Sequence, residues 1–290
     1  MENILRPIYQ ERASMPNTLG IILVEKTRPV SPTTDNFDMI LLVIVKHSEE
    51  PWFTKHYSYE GKIAAMHIVE ETLLHYWIDT STYRRAVEWI FEGKVVFDRN
   101  EYIDNLKREL ASFPYEKRKL KMTIEFAKLI RSYAETKDLH DSGQYLDAYT
   151  RMVRCLHYLA RLSIIEKGHH PEVTVWNQVR RIDSEVYKLC EEFIQSKEET
   201  DQRVQLMLLA VNVAINARSH SAAEHLLRVM RMKNGAWTFG ELKNRPEVEA
   251  YAADLSALLN YLEEKEIIEA VLTETKGKAL YHREYRIKEL

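Results

Sequence analysis

The 290-residue chain carries 41 Lys and Arg against 44 Asp and Glu, and its formal net charge of −3 at pH 7 gives no general attraction to nucleic acid or to an anionic membrane. Hydrophobic residues make up 45% of the chain, enough to bury real cores, and the length is typical of two or three domains. Because no apolar run approaches the roughly 20 residues that span a bilayer, and because Cys155 and Cys190 lie in apolar, helix-like contexts, we expect a cytoplasmic protein with two reduced, buried thiols and no membrane partner.

Residues 1–100 are predicted to form a compact α/β domain that begins with a polar helix or arm over residues 1–18. Its centre is the continuous apolar run at 37–45, which follows a loop rich in Thr, Pro, Asp and Asn and is predicted to be a buried strand. The turn Glu60-Gly61 predicts a β-hairpin, and after two helical segments Gly93 is expected to cap the second helix. The predicted strands are residues 19–24, 37–45, 57–59, 63–69 and 94–98.

Residues 101–218 show apolar positions at helical spacing and are predicted to form an up-and-down helical bundle. The expected helices are residues 102–110, 116–136, 142–166, 173–195 and 199–217. Basic side chains recur on these helices, and they serve either as solvated faces with local ion pairs or as contacts to a phosphate or a partner. These residues are Arg151, Arg154, Arg161, Arg180 and Arg181.

Residues 219–290 are predicted to form a winged helix-turn-helix, because helices are followed by a strand, a turn and a strand. Thr238 is expected to cap one of these helices. The wing is basic, and its candidate nucleic-acid contacts are Lys276, Lys278, Arg283 and Arg286. The helix before the wing ends in Glu263 and Glu264, however, which would repel phosphates, so a protein-contact or packing role is the alternative to DNA binding.

Two features of the first domain carry a likeness to a known family. Gly20 in the first strand and Asp38 at the start of the central strand resemble the signature of the nucleotidyltransferase superfamily, which includes DNA polymerase β and kanamycin nucleotidyltransferase. The whole arrangement is similar to a bacterial group of nucleotidyltransferase-like proteins. The resemblance implies an α+β fold, in which a small mixed sheet with helices precedes an all-α bundle, similar to a substrate-binding domain, and a winged helix-turn-helix.

The reaction of that family requires a cluster of acids, because two Mg²⁺ ions clamp the attacking and leaving oxygens and Mg²⁺ prefers oxygen ligands. The family pattern has two acids separated by one residue on one strand, a third acid on a neighbouring strand, and a Gly-Ser turn for the triphosphate. Here Asp38 matches the first acid, but the second position is Ile40 and the residue after Gly20 is Ile21. We expect Gly20, Ile21, Asp38 and Ile40 to be the remnant of the family pocket, with Asp38 as the candidate metal ligand.

The third-acid strand offers Ala64 and Ala65 in place of a carboxylate. Other side chains would have to complete a metal site from elsewhere in the domain. The candidates are Glu60, Glu70, Asp98 and, through a ring nitrogen, His67.

Three functions follow from these observations. The first is a catalytically degenerate nucleotidyltransferase-fold protein with a ligand-binding or regulatory role, which binds a nucleotide or a small polar ligand and needs no cofactor. The second is an active Mg²⁺-dependent nucleotidyltransferase that acts on a small molecule or a protein. The third is a winged-helix regulator that binds DNA. Because the metal cluster is incomplete, the sequence favours a protein that is not an enzyme.

Overall fold

The computed structural model describes residues 2–277 and 279–288, so Lys278, one of the expected nucleic-acid contacts, lies outside the described residues. The chain divides into two compact units. One contains Met1–Pro114 together with His170–Thr174, and the other contains Tyr115–His169 and Val175–Leu290.

The first unit is built on a five-stranded sheet in the order β3-β4-β2-β1-β5, so the predicted central strand is confirmed as the middle of the sheet. β2 and β4 are parallel, and the other neighbouring strands are antiparallel. The strands are β1 (Thr18–Glu25), β2 (Met39–Val45), β3 (Trp52–Tyr59), β4 (Lys62–Glu70) and β5 (Lys94–Asp98). The helices are α1 (Glu2–Ser14), α2 (Glu71–Thr80), α3 (Arg84–Glu92) and α4 (Tyr102–Ser112).

Both faces of β2 are buried, which explains its unbroken apolar sequence. Successive side chains of a strand point to opposite faces of the sheet. Ile40, Leu42 and Ile44 therefore pack in one core with residues of α2, α3 and α4, while the alternate residues of β2 pack in a second core that includes Leu5 of α1.

Gly93 follows α3, as predicted, but its backbone is extended (φ −73°) and not left-handed. Residue 93 is a glycine because its position leaves no room for a side chain. A Cβ at this position would lie 2.2 Å from Cγ2 of Ile22 and 2.5 Å from the carbonyl oxygen of Trp89. Gly93 thus allows the chain to leave α3 in close contact with β1.

The second unit begins with six helices, so the predicted helical middle region is confirmed. They are α5 (Tyr115–Asp141), α6 (Tyr145–Glu166), α7 (Val175–Ile182), α8 (Ser184–Gln195), α9 (Thr200–Asn216) and α10 (Ser219–Met230). The prediction of one helix over residues 173–195 is wrong. Asp183 interrupts it, and its carboxylate accepts a hydrogen bond from the backbone N–H of Val186 (3.2 Å) to cap α8.

The C-terminal part of this unit has the helix, strand and hairpin order of a winged helix-turn-helix. After α10 come β6 (Trp237–Thr238), α11 (Phe239–Lys243), a 3₁₀ turn (Pro246–Tyr251), α12 (Leu255–Glu264), β7 (Ile268–Glu274) and β8 (Tyr281–Ile287). The three strands form a sheet in the order β6-β8-β7. Thr238 caps α11 as predicted, in a reciprocal capping box with Glu241.

Cys155 and Cys190 are free and buried, as the sequence predicts. Burial raises the pKa of the Cys190 thiol to about 11 and that of the Cys155 thiol further, so both thiols stay protonated at neutral pH. Within the described part of the chain, no helix has the length and apolar character needed to cross a membrane.

Candidate functional site

Asp38 lies immediately before β2 and is half-buried. Its Oδ2 atom accepts a hydrogen bond of 2.8 Å from the backbone N–H of Ile63, and its own backbone N–H donates to the carbonyl oxygen of Ile63 (2.9 Å). The side-chain carboxylate and the backbone N–H of Asp38 therefore both extend the pairing of β2 with β4. In this position the carboxylate acts as part of the sheet.

Ile40 occupies the position of the second acid on the same face as Asp38. Its side chain is 1% exposed and belongs to the core between the sheet and helices α2 to α4. Its neighbour across the parallel strand pair is Ala65, which is fully buried. Methyl and methylene groups thus fill the place where the family pattern requires two further carboxylates.

The structure does not bring Gly20 and Ile21 close to Asp38, although the sequence places all three in one pocket. β1 runs antiparallel to β2, and Gly20 pairs with Ile44. The strand from residue 38 to residue 44 rises about 3.3 Å per residue, so Gly20 lies about 20 Å from Asp38 along the sheet. Ile21 is fully buried and faces the other core, the one that contains Leu5.

Gly20 has a packing role in its place on β1. A Cβ there would lie 2.4 Å from Cδ1 and 2.5 Å from Cγ1 of Ile103, so the glycine makes room for α4 against the strand. The close approach of Ile103 explains why residue 20 is a glycine, and no triphosphate-binding role is needed to explain it.

The acids proposed to complete a metal site have other partners or positions. Asp98 caps α4 by accepting hydrogen bonds from the backbone N–H groups of Ile103 (2.9 Å) and Asp104 (3.2 Å). Glu70 pairs in register with Val45, at the end of β2 far from Asp38, and accepts a hydrogen bond from the Thr72 hydroxyl (2.7 Å).

Glu60 lies in the hairpin turn, in a left-handed backbone conformation (φ 47°). Across the described residues, His, Cys, Asp and Glu side chains nowhere gather in a group of three that would hold a metal ion. The residues around Asp38 therefore do not fit a pair of Mg²⁺ ions, which needs clustered carboxylates.

His67, the candidate nitrogen ligand, is 8% exposed and already has partners. Its Nδ1 atom accepts a hydrogen bond from Nε1–H of Trp52 (3.2 Å) and lies 3.0 Å from the hydroxyl oxygen of Thr54. The ring stacks on Trp89 with 5.0 Å between ring centroids. Burial, assisted by the nearby His56, lowers the pKa of His67 to about 4, so the ring is neutral at pH 7.

Sequence reasoning missed the aromatic cluster around His67. Trp52, Trp77 and Tyr83 lie with their ring centroids 4.6 to 5.2 Å apart, and Tyr83 contacts Trp89 at 5.5 Å. These rings come from β3, α2, α3 and the loop before α3, so only the fold unites them. The one available signal was the high Trp and Tyr content of residues 52–89, which also suits ordinary core packing.

The loop before β2 is fixed beside this cluster. Asp35 forms a bidentate ion pair with Arg85 (2.5 and 2.6 Å), and Nε1–H of Trp89 donates to the carbonyl oxygen of Thr33 (2.8 Å). The hydroxyl of Thr33 donates to the carboxylate of Glu88 (2.8 Å). Asp35 is therefore engaged by a guanidinium and does not join Asp38 as a second metal ligand.

Ion pairs also involve arginines of the helical region. Arg151 lies 3.0 Å from a carboxylate oxygen of Glu135, and Arg161 lies 3.6 Å from Glu125, which is 3% exposed. Arg180 covers the ring of Tyr187 at 5.5 Å. Ion pairs account for Arg151 and Arg161, and the aromatic ring of Tyr187 accounts for Arg180. These local contacts favour the first of the two roles considered for the arginines.

Three basic side chains at the wing pair with acidic residues, while Lys276 is exposed in the turn between β7 and β8. Arg283 pairs with Glu263, Arg286 with Glu269 (2.6 Å), and Lys288 with Glu266 (3.1 Å). A phosphate would compete with these carboxylates for the three paired cations.

Helix α12, which corresponds in order to the recognition helix, is partly covered by the bundle. The Tyr261 hydroxyl is 2.6 Å from the Ser219 hydroxyl and donates to Asn216 (3.1 Å). The most exposed positions of α12 are Ser256, Asn260 and Glu264, which carry no positive charge. This surface lacks the cations that a helix uses against DNA.

Comparison with known proteins matches the chain in three consecutive parts. A family model described as nucleotidyltransferase-like matches residues 1–118, one described as a YgxA-like substrate binding domain matches residues 119–218, and one described as a helix-turn-helix domain matches residues 224–287. The uncharacterized protein YgxA of Bacillus subtilis (strain 168) is 46% identical over 288 residues, which cover 99% of this chain and 98% of that protein.

A crystal structure of a nucleotidyltransferase-like protein from Exiguobacterium sibiricum 255-15 is also similar. It is 39% identical, has a TM-score of 0.83 and covers 99% of both chains. These matches define the class as nucleotidyltransferase-like and confirm the α+β fold. Within that class, the chain belongs to the YgxA-like family, in which a helical substrate-binding-type domain and a helix-turn-helix domain follow the first domain.

Proposed function

We propose that this protein is a nucleotidyltransferase-fold protein that has lost Mg²⁺-dependent nucleotidyl transfer and acts by binding. The observation that carries the proposal is the burial of Ile40 beside Ala65 on the face that bears Asp38. Introducing a carboxylate at either position would place a charge in a dry core, which is strongly unfavourable without a partner. One aspartate engaged by a backbone amide does not bind two Mg²⁺ ions.

The ligand in this proposal is a nucleotide or a small polar molecule. Support comes from the match of residues 119–218 to a substrate binding domain. A protein that binds this ligand without converting it would act as a regulator in the cytoplasm, and the ligand would be its signal.

Calorimetry with ATP, GTP, CTP and UTP, each with and without Mg²⁺, tests the loss of metal-dependent chemistry. We expect any nucleotide binding to be independent of Mg²⁺ and unchanged in Asp38→Asn. Glu60→Gln, at the turn that precedes Ile63, is the matched control. Binding that requires Mg²⁺, together with transfer of radiolabelled nucleotide that Asp38→Asn abolishes, would establish an active nucleotidyltransferase and overturn the proposal.

We further propose that the C-terminal domain serves in packing or protein contact. The ion pairs of Arg283 and Arg286 and the uncharged or acidic exposed positions of α12 support this role. The match to a helix-turn-helix model favours the competing DNA-binding function. Fluorescence anisotropy with random-sequence duplex DNA at about 50 mM salt separates the two, since affinity for DNA rises steeply at low salt. No binding is expected, and binding that Arg286→Ala weakens would support the DNA-binding alternative.

A further inference from the structure

The first unit contains a pocket at the opposite end of β2 from Asp38. The pocket has a volume of about 340 Å³ and lies between the loop after β2 and the turn after α1. Asp38 precedes β2 and Val45 ends it, so the two residues lie about 23 Å apart at about 3.3 Å per residue. The pocket is therefore separate from the place where the family pattern expects its metal ions.

The position of the pocket follows from the parallel pairing of β2 with β4. Val45 and Glu70 are partners in register, so the carboxyl ends of both strands lie at this edge of the sheet. Ligands commonly bind outside the carboxyl ends of parallel strands, where loops supply polar groups without interrupting the sheet. Val45, Phe53 and Ile68 give the pocket an apolar side.

Hydrogen bonds hold the polar walls of the pocket in place. The side-chain amide of Asn17 donates to the carbonyl oxygen of His47 (3.1 Å), and the backbone N–H of Lys46 donates to the carbonyl oxygen of Asn17 (2.9 Å). The backbone N–H of Ser48 donates to the carboxylate of Glu70 (3.3 Å). The loop after β2 is thus fixed to its neighbours, and a preformed pocket loses less entropy when it binds a ligand.

Arg12 brings to the pocket a guanidinium that the fold leaves almost unused. The side chain is half-buried, and its one hydrogen bond within the described residues is a weak one of 3.6 Å from Nη1 to the sulfur of Met15. The end of α1 does not need it, because Arg99 donates to the carbonyl oxygens of Ala13 (3.3 Å) and Met15 (3.1 Å). Such a guanidinium is suited to binding a carboxylate through two parallel hydrogen bonds.

Glu49 and Glu50 bring negative charge to the same pocket. Both are exposed in the loop after β2, and within the described part of the chain neither forms an ion pair with Arg12 or with another cation. The pocket thus offers a cation, carboxylates and an apolar side to one ligand. A nucleoside triphosphate would bring several negative charges toward the two acids, which is unfavourable.

We propose that this pocket binds a small zwitterion with an apolar side chain, which is the chemistry of a free amino acid such as leucine. The ligand's carboxylate accepts two hydrogen bonds from Arg12, and its ammonium pairs with Glu49 or Glu50. Its side chain lies against Phe53 and Ile68. A volume of about 340 Å³ is at the small end of the range for ligand pockets, which suits an amino acid better than a nucleotide.

Calorimetry of the full chain with L-leucine, L-leucinamide and 4-methylpentanoate tests the two charge contacts. The amide lacks the carboxylate and 4-methylpentanoate lacks the ammonium, while all three compounds keep the same side chain. We expect L-leucine to bind at least about tenfold more tightly than either analogue, because each analogue loses one charged contact. Binding of neither L-leucine nor L-phenylalanine, or equal binding of an analogue, would overturn the proposal.

Variants of Arg12 test the site itself. Arg12→Gln should weaken L-leucine binding at least about tenfold, and Arg12→Lys should restore part of it, because the charge returns without the second parallel hydrogen bond. Arg6→Gln is the matched control, since Arg6 is exposed on the same helix and does not line the pocket. L-Leucine binding that Arg12→Gln leaves unchanged would overturn the assignment.

A variant that changes both acids tests the other half of the site. Glu49→Gln combined with Glu50→Gln should weaken L-leucine binding and leave that of 4-methylpentanoate unchanged, because only leucine carries an ammonium. ATP provides a separate control. Its titration should be the same for Arg12→Gln and the wild type, so a failure of amino-acid binding is distinguishable from a failure of nucleotide binding. Weaker ATP binding by Arg12→Gln would assign the pocket to the nucleotide and overturn the proposal.

Discussion

The Oδ2 atom of Asp38 lies 2.8 Å from the backbone nitrogen of Ile63, and this contact decides how the aspartate is interpreted. In a working nucleotidyltransferase the corresponding carboxylate is directed at metal ions, together with other acids. Here it holds the start of β2 to β4. Removing the Asp38 carboxylate should therefore lower the stability of the fold.

Asp38→Ala should lower the free energy of unfolding by about 1 kcal/mol, because the amide of Ile63 loses its acceptor at a half-buried position. Asp38→Asn should lose less, since the side-chain carbonyl can still accept. Urea denaturation measures both changes. Equal stability of Asp38→Ala and the wild type would show that the hydrogen bond does not contribute to folding.

Restoring the family's second acid should damage the fold. Ile40→Asp places a carboxylate at a position that is 1% exposed among Leu42, Ile44 and Ala65. The expected loss is more than about 3 kcal/mol, whereas the conservative Ile40→Val should cost about 1 kcal/mol. Thermal unfolding of the two variants provides the measurement. A stable Ile40→Asp protein that gains Mg²⁺ affinity would mean that the position is accessible and the site is latent.

His67 predicts a dependence of stability on pH. The folded protein lowers its pKa from 6.5 to about 4 because burial penalises the charged ring. Its contribution is therefore fully present above pH 6.5 and is lost as the pH falls from 6.5 toward 4, where the unfolded chain binds a proton that the folded chain does not. The shift corresponds to about 3 kcal/mol.

His67→Gln should flatten the change in unfolding free energy between pH 6.5 and 4, and NMR titration of the wild-type ring should show no midpoint above about pH 5. A His67 midpoint near 6.5 would contradict the buried, neutral ring.

Gly20 should behave as a packing residue. Gly20→Ala directs a methyl group at Ile103 and should destabilise the protein by about 1–3 kcal/mol. In the background of Ile103→Ala the same change should cost almost nothing, because its obstacle is gone. Chemical denaturation of the two single variants and the double variant gives this coupling. Additive losses would point to a different role for Gly20.

The local features of the fold were predictable. The apolar run of β2, the turn at Gly61 and the cap at Thr238 are encoded by adjacent residues, and each is confirmed. Periodicity alone missed the break at Asp183, since the apolar spacing on either side of it suits one long helix. The three-domain division with boundaries after residues 100 and 218 stays a prediction.

The candidate site could not be predicted from any one segment, because its residues come from different strands and helices. Gly20 and Asp38 belong to neighbouring strands, but whether they meet depends on strand direction and register, and the antiparallel pairing of Gly20 with Ile44 separates them. The environment of His67 likewise combines Trp52 from β3 and Trp89 from α3. The sequence did suffice to show that Ile40 and Ala65 replace carboxylates.

The most direct test of a lost two-metal site is the binding of Mn²⁺, a paramagnetic substitute for Mg²⁺, followed by electron paramagnetic resonance with and without ATP. Because Asp38 has no carboxylate partners on its face of the sheet, we predict that the protein takes up no stoichiometric Mn²⁺ and that Asp38→Asn gives the same titration as the wild type. Two Mn²⁺ ions bound per chain in the presence of ATP, and lost in Asp38→Asn, would contradict the account.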